Sequence, residues 1–148
     1  EWTNNFEERN AYSTSGVNVT RSDQALSGNF VNVMNDTQRY SDGFGIDLTT
    51  IATGNIIKIK ASMWCLFEQI PQKVSFACSV NSSDSTIYFN SANILADNEP
   101  LTGKWICIKH TFMVPFIKPE GQLRVYMVSD ESQQILNDDF SVRIYSEK

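Results

Sequence analysis

The stretch NIIKIKASMWCLF, from Asn55 to Phe67, carries the clearest structural signal in the chain. Its side chains alternate between an apolar set and a set that is polar apart from one tryptophan. The first set is Ile57, Ile59, Ala61 and Met63, and the second is Lys58, Lys60, Ser62 and Trp64. Because successive side chains of a β-strand point to opposite faces of its sheet, this alternation predicts a strand with one buried and one wet face.

Similar runs recur along the chain, separated by spacers that are rich in the turn residues Asn, Asp, Gly and Ser. Helical periodicity is nearly absent. The predicted strands are Thr3–Glu8, Gly16–Arg21, Asn29–Met34, Gly43–Thr49, Asn55–Phe67, Lys73–Val80, Thr86–Asn90, Trp105–Val114, Gln122–Ser129 and Asp138–Tyr145. Ten short strands suit two packed sheets, so the sequence predicts an all-β, two-sheet antiparallel β-sandwich that forms a single domain over residues 1–148.

Composition narrows the functional classes. The 148 residues carry a formal net charge of −5 at pH 7. A general nucleic-acid binder needs a basic surface to displace counterions, so nucleic acid is not an expected partner. No apolar run approaches the roughly 18 residues that a transmembrane helix needs, so no membrane span is expected.

The three cysteines, Cys65, Cys78 and Cys107, lie inside predicted strands without C-x-x-C spacing or a nearby histidine cluster. Zinc is therefore not an expected cofactor. Cysteine is among the residues most often buried, so we expect three small buried side chains. One disulfide between adjacent strands is the alternative.

The stretch LNDDFSVRIY, from Leu136 to Tyr145, places two adjacent aspartates at the mouth of the last predicted strand. Alternation along this strand puts Asp138 on the same inward side as Phe140. A carboxylate at the edge of a core is costly unless hydrogen-bond donors or a positive charge meet it. The pattern therefore predicts a partner for Asp138 elsewhere in the chain.

The sequence shows no arrangement of side chains that is typical of catalysis. The only histidine, His110, accompanies no nucleophile motif, and we expect it to be a satisfied residue at the edge of the core. Asp138 and Asp139 are neighbours on one strand, so their side chains are expected to diverge, unlike a glycosidase pair that faces one bond across about 5 to 9 Å. The chain is predicted not to be an enzyme.

Seven segments, taken in order, resemble the jelly-roll carbohydrate-binding modules with a galactose-binding-domain-like fold. They are Asn4–Glu8, Ser27–Asn35, Tyr40–Leu48, Lys60–Trp64, Lys104–Pro115, Gly121–Ser129 and Asp138–Ile144. The resemblance covers nearly the whole chain. It implies a jelly roll that acts as a noncatalytic carbohydrate-binding module.

In that family a structural calcium ion commonly ties the first strand to the last. Its carboxylate ligands are a Glu just after the opening aromatic residue and an Asp at the start of the closing strand. The resemblance therefore implies Glu7, Asp138 and Asp139 as calcium ligands, with carbonyls near Thr20–Asp23 completing the six to eight oxygens that calcium takes. The alternative is that both aspartates end a turn and stay solvated.

The same family places aromatic and polar side chains on its exposed concave sheet or on loops at the edge of that sheet. The usual strand exchange joins Gly43–Thr49, Lys73–Val80, Thr86–Asn90 and Gln122–Ser129 into one sheet. The implied ligand-binding residues are Arg124 and Tyr126 on its outer face, Tyr88 and Asp47 as neighbours, Tyr40 beside a turn and Trp64 at a rim. For each aromatic residue the alternative is ordinary packing under a loop.

No dense set of outward tryptophans appears on the predicted concave sheet, so we expect soluble chains rather than crystalline glycan surfaces as ligands. The expected partners are an oligosaccharide or polysaccharide and other domains of a glycan-processing protein. The expected location is extracellular, cell-surface or periplasmic. The alternative function is a structural or protein-interaction β-sandwich of a secreted or cell-surface protein without sugar binding.

Overall fold

Ten β-strands in two antiparallel sheets build the chain, as a computed structural model shows for residues 1–7, 12, 18–50, 56–83, 85–115 and 121–147. The strands are β1 (Trp2–Asn4), β2 (Val19–Arg21), β3 (Phe30–Met34), β4 (Phe44–Asp47), β5 (Ile56–Phe67), β6 (Val74–Asn81), β7 (Thr86–Asn93), β8 (Trp105–Pro115), β9 (Gln122–Ser129) and β10 (Ile135–Glu147). Each corresponds to one predicted strand. Two short 3-10 helices, Leu48–Thr50 and Ile94–Ala96, follow β4 and β7.

The strands divide between the sheets as the resemblance implies. The larger sheet has the order β2-β3-β10-β5-β8, with β1 pairing along the other end of β10. The smaller sheet has the order β4-β9-β6-β7. These four strands are the four that were expected to share one sheet, and the predicted β-sandwich is confirmed.

The core lies between the two sheets. From β5 it receives the predicted apolar set, Ile57, Ile59, Ala61 and Met63, each at most 2% exposed. Phe76 of β6 and Met127 of β9 come from the opposite sheet. Burial of about 25 cal/mol for each Å² of apolar surface makes this interface the main stabilising contact. The outer faces of both sheets are thereby left to carry polar and functional side chains.

Two of the three cysteines and the histidine have the structural positions expected of them. Cys65, Cys78 and Cys107 are unpaired thiols, the first two buried and the third half-buried. Burial raises the pKa of Cys65 and of Cys78 to about 12, so both thiols stay protonated. His110 Nδ1 lies 2.6 Å from an Asp97 oxygen beside the core, which confirms the expected satisfied position. None of the described helices is long and apolar enough to cross a bilayer.

The last strand differs from its prediction at the two aspartates. β10 begins at Ile135, so Asp138 and Asp139 lie within the strand rather than at its mouth. The pairing with β5 shifts between Asp138 and Ser141, and Asp139 has a φ of +44°. Such a β-bulge adds a residue to one strand and inverts the alternation beyond it.

The bulge decides where Asp138 points. Asp138 lies opposite Trp64, on the outer face of the larger sheet, whereas Phe140 is buried in the core. The expectation that Asp138 and Phe140 share the inward side is therefore wrong. The bulge also turns both aspartates towards Ser27, so their side chains do not diverge as expected.

Candidate functional site

The outer face of the smaller sheet contains an open groove of about 840 Å³. Ser79 of the central strand β6 lies on its floor, between β9 and β7. Register places Tyr126 beside Ala77, and it places Arg124 of β9 and Phe89 of β7 on either side of Ser79. Small residues in the middle and large residues at the sides make the sheet surface concave.

One wall of the groove is built from two tyrosines. The chain before β4 runs on along β9, where Tyr40 pairs with Val128 and the Ser41 N–H donates to the Met127 carbonyl at 2.9 Å. This pairing holds the Tyr40 ring against Tyr126, with the ring centroids 5.8 Å apart and the planes at 63°. Tyr40 remains 59% exposed, so its ring is available to a ligand.

Tyr126 is the more enclosed of the two rings. Burial raises the pKa of Tyr126, the nearby Tyr40 acts in the same direction, and a hydrogen bond with Ser79 opposes both. The phenol therefore stays protonated at neutral pH and keeps a proton to donate. It offers the groove one hydroxyl and one ring edge.

Arg124 and Phe89 supply the other kinds of contact. Nε and Nη2 of Arg124 both donate to Oε1 of Gln122, at 3.1 and 2.9 Å, which fixes the direction of the guanidinium. Phe89 lies across β6 from Arg124 and is 56% exposed. The groove thus has aromatic rings on two sides and a charged donor between them.

The predicted ligand-binding residues separate into two groups. Arg124, Tyr126 and Tyr40 come together in the groove. Asp47 lines an adjoining shallow pocket of about 580 Å³, which it shares with Arg124. Trp64 lies on the outer face of the other sheet, opposite Cys107 and Asp138, and does not line the groove.

Tyr88 does not have its expected position. It pairs with Val80, which belongs to the core, and it packs against the core itself. The expectation that Tyr88 lies on the outer face is therefore wrong. The neighbouring residue, Phe89, takes the outward place instead.

Sequence reasoning missed several groove residues. Phe89 lies in the run Ile87, Tyr88, Phe89, where three apolar residues in succession hide the alternation. Asn18 is distant in sequence, yet its Nδ2 donates to the Tyr40 carbonyl at 2.8 Å. Arg39 also lines the groove and forms an ion pair of 3.1 Å with Asp130. Only the spatial pairing of the strands brings these residues together.

A second polar cluster lies on the larger sheet, where three carboxylates hold the loop between β2 and β3. The N–H groups of Leu26 and Ser27 donate to Oδ2 of Asp138, both at 3.0 Å. The Ser27 hydroxyl donates to Asp139 at 2.7 Å. Oε1 of Glu7 accepts the N–H groups of Asn29 and Phe30, at 2.7 and 2.8 Å.

The loop is shaped to receive these carboxylates. Gly28 has a φ of +61°, and a Cβ atom at this position would overlap the Glu7 carboxylate. Burial raises the pKa of Asp138 to about 6, although the N–H groups of Ser27 and Asp139 act in the opposite direction. The donors of the loop are thus the partner that the sequence predicts for Asp138.

The same carboxylates are the predicted calcium ligands. Oε2 of Glu7 and Oδ2 of Asp139 accept no hydrogen bond from any described residue. However, no three His, Cys, Asp or Glu side chains within the described ranges are close enough together to hold a metal ion. Carboxylate oxygens are the ligands that a hard cation such as calcium prefers. In this structure the three carboxylates are occupied by N–H and O–H donors.

Several solved structures share this architecture. The CBM22-1 xylan-binding domain from Paenibacillus barcinonensis Xyn10C is 18% identical, with 99% of this chain and 95% of that domain covered and a TM-score of 0.60. At this identity the likeness shows a shared fold. The chain has the jelly-roll fold of carbohydrate-binding modules. No protein-family model and no curated protein matches the sequence.

Two structures from Clostridium thermocellum Xyn10B are also similar. The C-terminal family 22 carbohydrate-binding module is 14% identical, with 97% of this chain and 92% of that module covered and a TM-score of 0.53. The CBM22-1-GH10 modules complexed with xylohexaose are 14% identical, with a TM-score of 0.51 over 84% of this chain. This chain spans 24% of that longer structure.

Proposed function

We propose that the protein is a noncatalytic carbohydrate-binding module that holds a soluble glycan in the groove of the smaller sheet. The observation that supports this most directly is the pair of exposed rings, Tyr40 and Phe89, on opposite sides of a floor of small residues. A groove of about 840 Å³ lies within the range typical of ligand sites, about 300 to 1,000 Å³.

The proposed contacts follow from sugar chemistry. A sugar ring has an apolar face of C–H groups, which packs well against an aromatic ring, and an edge of hydroxyls that both donate and accept hydrogen bonds. Tyr126, Tyr40 and Phe89 provide the apolar contacts. Arg124 and Asn81 provide polar groups for the hydroxyls.

A soluble ligand is proposed because the smaller sheet has no flat tryptophan platform. Trp2 lies in the core, and Trp64 and Trp105 lie on strands of the larger sheet. The groove is instead a concave surface of polar and aromatic side chains, which fits a single chain better than the flat face of a crystal. We propose an extracellular, cell-surface or periplasmic location and further domains in one glycan-processing protein.

A noncatalytic role agrees with the lining of the groove. Glycoside hydrolysis requires two carboxyl groups that flank the scissile bond. Among the described residues that line the groove, none is an aspartate or glutamate. The described lining of the groove thus suits holding a glycan, which supports the proposed noncatalytic role.

The proposal is tested on an array of soluble glycans with the wild-type protein, Tyr126→Ala and Arg124→Ala. We expect binding to a restricted group of glycans and loss of signal in both variants. Silence on every glycan would favour the alternative, a structural or protein-interaction β-sandwich. Binding that both variants retain would place the glycan away from this groove.

We further propose a structural calcium ion that Glu7, Asp138 and Asp139 would bind by moving closer together than they lie now. The support is that all three carboxylates lie along one loop and that two of them keep an oxygen without a described partner. Calcium would neutralise their mutual repulsion and join the ends of the chain, where β1 and β10 meet.

Calcium binding predicts a more stable protein. A ligand at one hundred times its dissociation constant adds about 2.7 kcal/mol to the free energy of unfolding, which corresponds to a rise in Tm of roughly 5 °C or more for a domain of this size. Melting curves with calcium and with a chelator measure the effect. Glu7→Gln should lose most of the rise in Tm, and the exposed control Asp130→Asn should keep it. Equal Tm values in calcium and in chelator for the wild type would rule the ion out.

A further inference from the structure

The groove has a charge opposite to that of the rest of the protein. The chain has a formal net charge of −5 at pH 7. Among its described lining residues, however, the groove has two arginines, Arg39 and Arg124, and no acidic side chain. A neutral glycan gives no reason for such a separation of charge.

The two arginines differ in whether an acidic side chain already neutralises them. Arg39 is neutralised by Asp130, 3.1 Å away. Arg124 has no ion pair with any described residue, and Asp47, which shares the adjoining pocket with it, is not paired to it. Among the described lining residues, Arg124 is therefore the cation that remains available to a ligand.

The hydrogen bonds of Arg124 leave one edge of its guanidinium open. Nε and Nη2 bond to the same Gln122 oxygen, at 3.1 and 2.9 Å, so the side edge of the group is occupied. The terminal edge, formed by Nη1 and Nη2, has no partner among the described residues. Two parallel N–H groups on that edge match the two oxygens of a carboxylate.

The surroundings of Arg124 suit a sugar that carries the carboxylate. Ser79 of β6 lies directly opposite Arg124 of β9, and Asn81 lies opposite Gln122. A hydroxyl and an amide at these positions can bond to ring hydroxyls. Tyr126 follows two residues later on the same face of β9, so it can contact the next unit of the chain.

We propose that the groove selects glycans that bear uronate units, and that Arg124 binds the uronate carboxylate through its terminal edge. This inference rests on the proposed function of the groove as a glycan site. A sulfate ester offers the same negative charge, and two of its oxygens can also accept the N–H groups of the fork. We assign the carboxylate, and a sulfated neutral glycan in the test distinguishes the two anions.

The test compares acidic glycans with neutral forms of the same glycans. The probes are an oligogalacturonate and a glucuronate-substituted xylo-oligosaccharide, each measured by calorimetry beside its carboxyl-reduced form. We expect the wild type to bind at least one acidic probe tenfold or more tightly than its reduced form. We also expect this preference to weaken as salt is raised, because screening acts on exposed charges.

Variants assign the preference to Arg124. Arg124→Gln should lower the affinity for the acidic probe to that for the reduced probe. Arg124→Lys should keep only part of the preference for the acidic probe, because an ammonium group lacks the two parallel N–H donors of a guanidinium. Arg143→Gln, the same change on the outer face of the other sheet, should leave both affinities within twofold of wild type.

Three results would overturn the inference while leaving glycan binding intact. The first is that the wild type binds the acidic and reduced probes with equal affinity. The second is that Arg124→Gln weakens the binding of both probes equally. The third is that a sulfated neutral glycan binds as tightly as the acidic probe and loses as much affinity in Arg124→Gln. Failure to bind any glycan, acidic or neutral, would overturn the proposed function and this inference together.

Discussion

Asp138→Ala is expected to lower the free energy of unfolding by about 3 kcal/mol in the presence of a chelator. The change removes the acceptor of three backbone N–H groups, those of Leu26, Ser27 and Asp139. Each partly buried donor left without an acceptor costs about 1 to 3 kcal/mol. Relief from burying the charged carboxylate offsets some of this loss.

Urea unfolding of wild type and variant measures the effect, with Asp130→Ala as the matched control. The Asp130 side chain is 67% exposed and pairs with an arginine that is 55% exposed. A surface pair of this kind contributes at most about 1 kcal/mol. Equal losses for the two variants would mean that the carboxylate of Asp138 has no special role in holding the loop.

The raised pKa of Asp138 adds a pH dependence with a definite sign. The folded protein holds this proton with a pKa of about 6, against an ordinary value of 3.8. Because the folded state binds the proton more tightly than the unfolded chain, the contribution of this group to stability falls as the pH rises from about 4 to 6. We expect Asp138→Asn, measured in chelator, to lack this fall in stability between about pH 4 and 6. Identical profiles of unfolding free energy against pH for wild type and variant would show that Asp138 is not the group responsible.

Tyr126→Ala is expected to weaken glycan binding at least tenfold, which corresponds to about 1.4 kcal/mol or more. The change removes the ring that lies beside the floor of the groove and against which Tyr40 packs. The backbone pairing with Val128 still places Tyr40, so the expected loss is that of the Tyr126 ring itself. Calorimetry with the glycan that binds best on the array gives the affinity.

Two further variants separate binding from folding. Tyr145→Ala removes a tyrosine that is 41% exposed on a strand of the other sheet, and it should leave the affinity unchanged. Phe89→Ala removes a ring that is 56% exposed, so it should weaken binding with little change in Tm. Unchanged affinity in both Tyr126→Ala and Phe89→Ala would show that the groove does not hold the glycan.

Strand positions could be predicted from the sequence because alternation is a local property. The apolar set of Ile57, Ile59 and Met63 needs no knowledge of the partner strand to indicate a buried face. The grouping of strands into sheets came from the resemblance instead, since it depends on contacts between residues far apart in the chain. In the same way, alternation shows that Trp64 lies on the face opposite to Met63. It does not show how far that face lies from the groove, which belongs to the other sheet.

The two orientations that were wrong have different causes. The prediction for Asp138 carries the alternation back from Phe140, across a bulge in β10 that the sequence does not mark. An extra residue in one strand inverts the alternation, so Asp138 lies on the outer face. The prediction for Tyr88 comes from the resemblance, and the apolar run Ile87, Tyr88, Phe89 has no alternation that shows which ring faces outward.

The position of β10 has a consequence for how the protein reaches its native state. This strand pairs with β1, β3 and β5, so the larger sheet has no middle until residues 135–147 are present. During synthesis β3 and β5 remain with open edges until residues 135–147 have left the ribosome, and contacts this distant in sequence form slowly. A nascent chain halted before Ile135 should therefore bind chaperones and aggregate, and the larger sheet should be completed only once β10 has left the exit tunnel.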